Sequence, residues 1–175
     1  NIDFKKHRVI LVTMHRRENF GKSHRGIAKT LVRIVNKFPD TAILLPLHLN
    51  PNVRSVIKPV LKGHERIFLI EPPGYVPFVY AMQNSYLILT DSGGVQEEAP
   101  SLGKPVLVLR TNTERPEGVN AGSAKLVGVN PETIFREASK LLTNKKAYNK
   151  MAKTKNPYGD GKASKRIVKI LGTKG

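Results

Sequence analysis

The sequence predicts an α/β chain, a Rossmann-like parallel sheet with helices on both faces. Three observations predict it. Short apolar runs recur along the chain, separated by stretches whose apolar residues fall at helical spacing. The runs are apolar throughout rather than alternating, as strands covered on both faces are. Polar residues of chemical interest come directly after several runs, where ligands of open parallel sheets bind.

Residues 8–13, Arg-Val-Ile-Leu-Val-Thr, read as the first buried strand. Ile27, Leu31, Ile34, Val35 and Phe38 then mark one face of a helix. Pro39 and Asp40 end it, and residues 41–47 form a second strand. Asn50 before Pro51 is a cap followed by proline at the first helical position. Val53, Val56, Ile57, Val60 and Leu61 give that helix its apolar face. Strands follow at residues 67–70, 86–89 and 106–109, with a weak sixth at 124–127. Helices are expected at 75–82, 95–102, 131–142 and 161–171, the last after a turn-rich joint at 153–161. Strands alternating with helices imply βαβ units. The whole chain, residues 1–175, is read as one such domain, with residues 155–175 as its terminal joint and helix.

Composition bounds the function. The chain has 175 residues, 39% hydrophobic and 25% charged, which suits a globular fold rather than a disordered one. No apolar run approaches the roughly 20 residues that cross a bilayer, so no membrane partner is expected. Residues 1–7 carry no signal-peptide core. Cysteine is absent, which excludes disulfides, thiolate metal sites and cysteine nucleophiles. A cytoplasmic protein is the simple reading. The net charge is +17, and residues 136–175 hold twelve Lys/Arg against two acids. Such a tail reads first as a solvated lysine-rich helical surface. The other reading is a nucleic-acid-binding module, but only Tyr148 and Tyr158 interleave the lysines, so no stacking platform is visible.

Residues 89–99, Leu-Thr-Asp-Ser-Gly-Gly-Val-Gln-Glu-Glu-Ala, are the most informative stretch. They read as a strand end, a polar turn with Gly93 and Gly94, then a helix. Free backbone N–H groups and the helix dipole there suit a phosphate. Glu97 and Glu98 stand where they could reach sugar hydroxyls. The stretch therefore suggests a nucleotide or nucleotide-sugar site. It is neither a Gly-x-Gly-x-x-Gly fingerprint nor a Walker loop, so nothing points to NAD or ATP.

His15-Arg16-Arg17-Glu18-Asn19 follows the first strand. The arginines suit phosphate clamping, and the histidine suits either acid–base work or donation to a phosphate. A charged loop whose ion pairs tie neighbouring elements is the plainer alternative. His48 ends the second strand, as a site residue or as a loop-fixing hydrogen-bonder. Tyr75 or Phe78 offers a stacking face for a base, or is core. Residues 113–117, Thr-Glu-Arg-Pro-Glu, are charged and proline-broken, hence a loop at the same sheet edge. His7, His24 and His64 stand in polar surface contexts and take no role. No metal-ligand spacing is present, and no metal or cofactor is expected.

Taken together, residues 13–21 (Thr-Met-His-Arg-Arg-Glu-Asn-Phe-Gly), 46–51 (Pro-Leu-His-Leu-Asn-Pro) and 90–100 (Thr-Asp-Ser-Gly-Gly-Val-Gln-Glu-Glu-Ala-Pro) closely resemble one family. It is the non-hydrolysing UDP-N-acetylglucosamine 2-epimerases. Residues 103–106 (Gly-Lys-Pro-Val), 113–117 and 156–161 (Asn-Pro-Tyr-Gly-Asp-Gly) extend the resemblance over almost the whole chain. It implies a glycosyltransferase-B type fold, two Rossmann-like halves with the UDP-sugar between them, of which this chain is the C-terminal half. The N-terminal domain is absent from this chain. It implies interconversion of UDP-GlcNAc and UDP-ManNAc by elimination of UDP to a 2-acetamidoglucal and re-addition, with carboxylates supplied by the N-terminal half. It implies diphosphate on Ser92, Gly93 and Gly94, ribose on Glu98, uracil near Phe78, Arg115 near the diphosphate or sugar, and His15 at the reacting centre. Arg16 and His48 match a second, allosteric site for substrate as activator. The expected partners are UDP-GlcNAc or UDP, the missing domain and, in the full-length enzyme, a second copy. A glycosyltransferase of the same fold is the alternative enzyme, and the 15–18 and 113–117 strings argue against it.

Overall fold

The structure, a computed structural model, describes residues 2–172. Of the expected terminal joint and helix at 155–175, residues 173–175 lie outside the described residues, as does residue 1 of the domain. Six strands form one parallel sheet: β1 (Arg8–Thr13), β2 (Thr41–Pro46), β3 (Ile67–Ile70), β4 (Leu87–Thr90), β5 (Val106–Val108) and β6 (Ala124–Leu126). Their order is β3-β2-β1-β4-β5-β6, every pair parallel. The chain winds outward from β1 in one direction, then returns to start β4 on the other side. The gap between the ends of β1 and β4 is thus the topological switch point, where such sheets bind ligands.

The central strands β1, β2, β4 and β5 are apolar on both faces because both faces are covered. Val9 and Leu11 join one core layer with Leu44, Met82, Ile88 and Val106. Ile10 and Val12 join the other with Leu31, Ile43, Leu45, Leu87 and Ile134. All of these side chains are essentially inaccessible to water. At about 1.5–3 kcal/mol for each fully buried aliphatic side chain, this double layer is the main source of stability.

Helices α1 (Lys22–Lys37), α2 (Pro51–Leu61) and α6 (Pro131–Thr143) cover one face, and α1 packs against both of the others. Helices α3 (Tyr75–Asn84) and α4 (Gly93–Glu98) cover the other. Gly21 enters α1 at φ 76°, a conformation that other residues avoid. Asn50 and Asn130 cap α2 and α6, each ahead of a proline. The Asn130 carboxamide oxygen accepts the N–H of Glu132 at 3.0 Å and of Thr133 at 3.1 Å. Two orphan donors are satisfied at once.

Three elements differ from the sequence reading. Gly93 and Gly94 do not make a turn; they are the first residues of α4, with Ser92 as its cap. The helix then tightens into a 3₁₀ turn over Ala99–Leu102, where Pro100 has no N–H to continue the α ladder. Residues 116–121 form a short helix, α5 (Pro116–Ala121), because Pro116 opens a helix at its first position instead of breaking one. Helix α7 (Lys145–Ala152) has no buried residue, so no apolar stripe announced it. Asn144 caps it, and Tyr148 anchors it by stacking on Tyr86 at 4.3 Å and donating to the Tyr86 carbonyl at 2.8 Å. Burial, and then the neighbouring Tyr86, push the Tyr148 phenol up to about 12.

Helix α8 (Ala163–Gly172) is exposed throughout its length, with Ile167, Val168, Ile170 and Leu171 on its surface. The lysines of α7 and α8 are solvated, as the plainer reading of the basic tail expects. None of the helices among the described residues is long and apolar enough to cross a membrane.

Replacing Asn130 with alanine removes the double cap of α6. The expected loss is about 1 kcal/mol, read as a lower urea midpoint at unchanged slope. An unchanged midpoint contradicts the capping account.

Candidate functional site

The candidate site lies at the carboxyl ends of β1 and β4. Thr13 and Thr90 close the two strands with their hydroxyls 2.6 Å apart. The Thr90 hydroxyl also accepts the N–H of Ser92 at 2.9 Å, which sets the start of α4. Between them lies Asp91, fully buried. Its Oδ2 accepts the backbone N–H of His15 and of Arg16, both at 2.8 Å. Its Oδ1 makes no hydrogen bond but lies 2.9 Å from Nδ1 of His15. Burial pushes the Asp91 carboxyl up. The His15 ring and the two backbone donors outweigh that, and the net effect holds it below the usual carboxylate range. A buried anion is stable only when so paired.

The His15 ring stacks on His48, with centroids 5.5 Å apart and planes 22° from parallel. Both line a cavity of about 230 Å³, with Phe78, Ser92, Pro46 and Val95 among its other walls. Phe78 is half-buried; it lines this space and packs against the core. A Cβ built on Gly93 would come within 3.9 Å of the Arg115 guanidinium, and one on Gly94 within 4.0 Å of Glu98 Oε1. The start of α4 therefore lies near a guanidinium and a carboxylate. Orphan helix N–H groups and a guanidinium both favour an anion there.

Arg115 is held in place from several sides. Its Nε donates to Glu97 and its Nη1 to the Glu114 carbonyl at 3.0 Å. Its own N–H bonds the Thr113 hydroxyl, which donates to the buried Gln96 carboxamide at 2.7 Å. Gln96 in turn donates to the Ser92 carbonyl at 3.1 Å. The Tyr158 hydroxyl accepts the N–H of Gly118 at 2.8 Å and donates to the Arg115 carbonyl at 3.1 Å. A side chain at Gly118 would collide with that hydroxyl, at 2.8 Å. Asn156 donates to the Glu97 carbonyl at 3.2 Å.

Buried Arg110 joins the loops after β1 and β5. Its Nε donates to Glu18 at 2.9 Å and its Nη1 to Glu114 at 2.6 Å. The guanidinium pulls the Glu114 carboxyl down to about 2. Glu98 accepts from the exposed Tyr75 hydroxyl at 3.2 Å, and that bond pushes the phenol's pKa up.

The structure thus gathers His15, His48, Phe78 and Ser92 around one cavity; Gly93 and Gly94 follow Ser92, near Arg115 and Glu98, and these four do not line it. Glu97 is separated from them by its pairing with Arg115. The Arg16 Nε donates to the Asp91 carbonyl at 3.3 Å. Asp91, Gln96, Thr113, Asn156 and Tyr158 had no assigned role in the sequence reading. The signal for Asp91 was available: an acid directly after an apolar strand must find partners. Those of Gln96 and Tyr158 are tertiary and leave no local pattern. Among the described residues no cluster of three or more ligand-type side chains could hold a metal. A polar hollow of about 370 Å³ lies at the opposite strand edge, by Lys5, Lys6, Lys104 and Arg8, with Arg8 already bonded to Asp40.

One expectation is overturned. His24 is not at the surface: it is fully buried in α1 beneath Phe20, and neither ring nitrogen has a hydrogen-bond partner. It falls on the buried face that Ile27, Leu31 and Ile34 define. Burial lowers its pKa, the Asp91 charge opposes that, and His15 adds to it.

A family model described as UDP-N-acetylglucosamine 2-epimerase matches residues 1–172. A putative UDP-N-acetylglucosamine 2-epimerase of Thermotoga maritima is 53% identical over 171 residues, 98% of this chain and 45% of that protein. A crystal structure of a putative UDP-N-acetylglucosamine 2-epimerase from Listeria monocytogenes superposes with a TM-score of 0.93 at 50% identity, covering 98% of this chain and 46% of that one. The Neisseria meningitidis UDP-GlcNAc 2-epimerase, solved with UDP-GlcNAc bound, gives 0.92 at 50% identity, covering 97% and 46%. This chain spans less than half the length of these relatives, matching their C-terminal half.

Burial holds the His24 pKa below its ordinary value in the folded protein, and that penalty is absent in the unfolded one. Its lowered pKa therefore costs stability as pH falls below 6.5, its ordinary value. His24→Leu is expected to raise stability by about 1 kcal/mol near neutrality, since it removes an unsatisfied buried group. It should also flatten the loss between about pH 7 and about pH 5 in urea titrations. A variant as acid-sensitive as the parent contradicts this.

Proposed function

The chain belongs to the UDP-N-acetylglucosamine 2-epimerase family, and on that footing we propose that residues 1–175 are the nucleotide-binding half of an enzyme interconverting UDP-GlcNAc and UDP-ManNAc. One observation carries the reading. The cavity is lined by His15, Phe78 and Ser92, and Ser92 caps α4, whose next residue, Gly93, lies near the Arg115 guanidinium. That is an anion site beside an aromatic wall and a histidine. The UDP-GlcNAc held by the Neisseria relative supports the choice of ligand.

In this reading the diphosphate lies on Ser92, Gly93 and Gly94, with Arg115 neutralising its charge. Glu98 takes the ribose hydroxyls, exchanging its bond with Tyr75 for one with the sugar. Phe78 packs against the uracil. The reaction removes the C2 proton of the GlcNAc unit to a carboxylate of the other half. The C–H pair becomes the C1–C2 double bond, and the C1–O pair leaves with UDP. Re-addition of UDP, with a proton delivered to the opposite face of C2, gives UDP-ManNAc. This half supplies the groups that stabilise the leaving diphosphate: the start of α4, Arg115 and His15. Arg16 and His48 form the second, activator site. The His15–His48 stack supports a shared wall between the two. A cytoplasmic setting and a homodimeric full-length enzyme belong to the same reading.

The chain by itself should bind UDP weakly in calorimetry, and Arg115→Ala should weaken binding about ten- to a hundredfold. No heat from folded protein at about millimolar UDP contradicts the assignment. The same chain should show no epimerisation, because the C2 carboxylates lie in the other half; measurable turnover overturns that division of labour.

A further inference from the structure

We infer that Asp91 is a positioning residue for His15, fixing its ring so that Nδ1 carries a proton towards Asp91 and Nε2 faces the leaving diphosphate. The inference rests on the reading above, in which His15 stands at the reacting centre. Three contacts from one carboxylate carry it. Oδ2 holds the backbone N–H groups of His15 and Arg16 at 2.8 Å each, which sets the start of the side chain. Oδ1 stands 2.9 Å from Nδ1, which sets the ring's rotation. Stacking on His48 restrains the ring from its face. Asp91 is itself immobile, fully buried with its N–H bonded to the Thr13 carbonyl at 3.2 Å.

The chemical consequence follows from the imidazole itself. A carboxylate accepts and cannot donate, so the nitrogen beside it carries the proton. The other nitrogen, Nε2, has no partner among the described residues, and the ring borders the cavity. A ring carrying protons on both nitrogens donates Nε2–H to the diphosphate oxygen that receives the C1–O pair. No proton need leave the ring in either direction of the reaction. Asp91 does not touch the substrate; it acts through His15.

Nitrogen-15 NMR of the chain labelled at histidine tests this without any turnover. His15 is expected to carry its proton on Nδ1 when neutral. A neutral form with bare Nδ1 and protonated Nε2 overturns the proposal, and needs no variant that folds. Asp91→Asn, whose amide can present an N–H to Nδ1, should switch the tautomer. In the full-length enzyme the same change should lower kcat about a hundred- to ten-thousandfold with KM moved less than about threefold. In a His15→Gln background it should cost nothing further. An undiminished kcat in Asp91→Asn, or an equal added loss in the His15→Gln background, refutes a role exerted through His15. Failure of the parent chain to bind UDP would instead refute the functional reading and leave the tautomer result standing.

Discussion

The site depends on keeping a buried carboxylate satisfied. Asp91 ends a strand whose residues are all removed from water, so its charge must find donors inside the protein. The nearest are the first N–H groups of the loop after β1, because β1 and β4 are hydrogen-bonded neighbours. Satisfying Asp91 therefore draws two loops, remote in sequence, to one point. His15, Ser92 and the start of α4 inherit their positions from that contact. Strand order, not local sequence, makes it possible.

A second layer of charges surrounds this point. Arg110 is buried between Glu18 and Glu114, and Arg115 is bonded to Glu97. Each arginine pairs with a carboxylate on a different loop or helix, and the loops after β1 and β5 are locked to α4. The pairs are part-exposed, so each contributes little stability by itself. Their effect is geometric. They hold the Arg115 guanidinium near the first residue of α4. An anion arriving there finds donors already oriented, which lowers the cost of binding. The strong net positive charge of the chain draws anions toward the site, though charge alone does not select among them.

Much of the fold was legible in the sequence. The runs at 8–13 and 41–47 became strands almost to the residue, because double-sided burial writes itself as unbroken apolar sequence, and 67–70 did so as a part-exposed edge strand. Asn50 and Asn130 announced helix starts by cap chemistry that is local. What was not legible was set by distant partners. The Gly93–Gly94 pair starts a helix because the Thr90 hydroxyl anchors Ser92, and dipeptide chemistry alone suggests a turn. Helix α7 depends on a tyrosine pair 62 residues apart. His24 looks like a surface residue among Lys22, Ser23 and Arg25, yet helical phase carries it into the core. His15, His48, Phe78 and Ser92, which line one cavity, were marked in the sequence by strand ends and family resemblance. Asp91, which ties them together, was in plain view without a role, since its partners lie about 75 residues away.

The account centres on the start of α4 as the seat of a nucleotide diphosphate. The most direct measurement is a backbone NMR titration of the labelled chain with UDP. The account predicts saturating shifts led by the Gly93 and Gly94 amides, with Phe78 and Arg115 following at the same affinity. Shifts led instead by Lys104 and Tyr148 at the opposite strand edge, or no shifts on a folded chain, would contradict it.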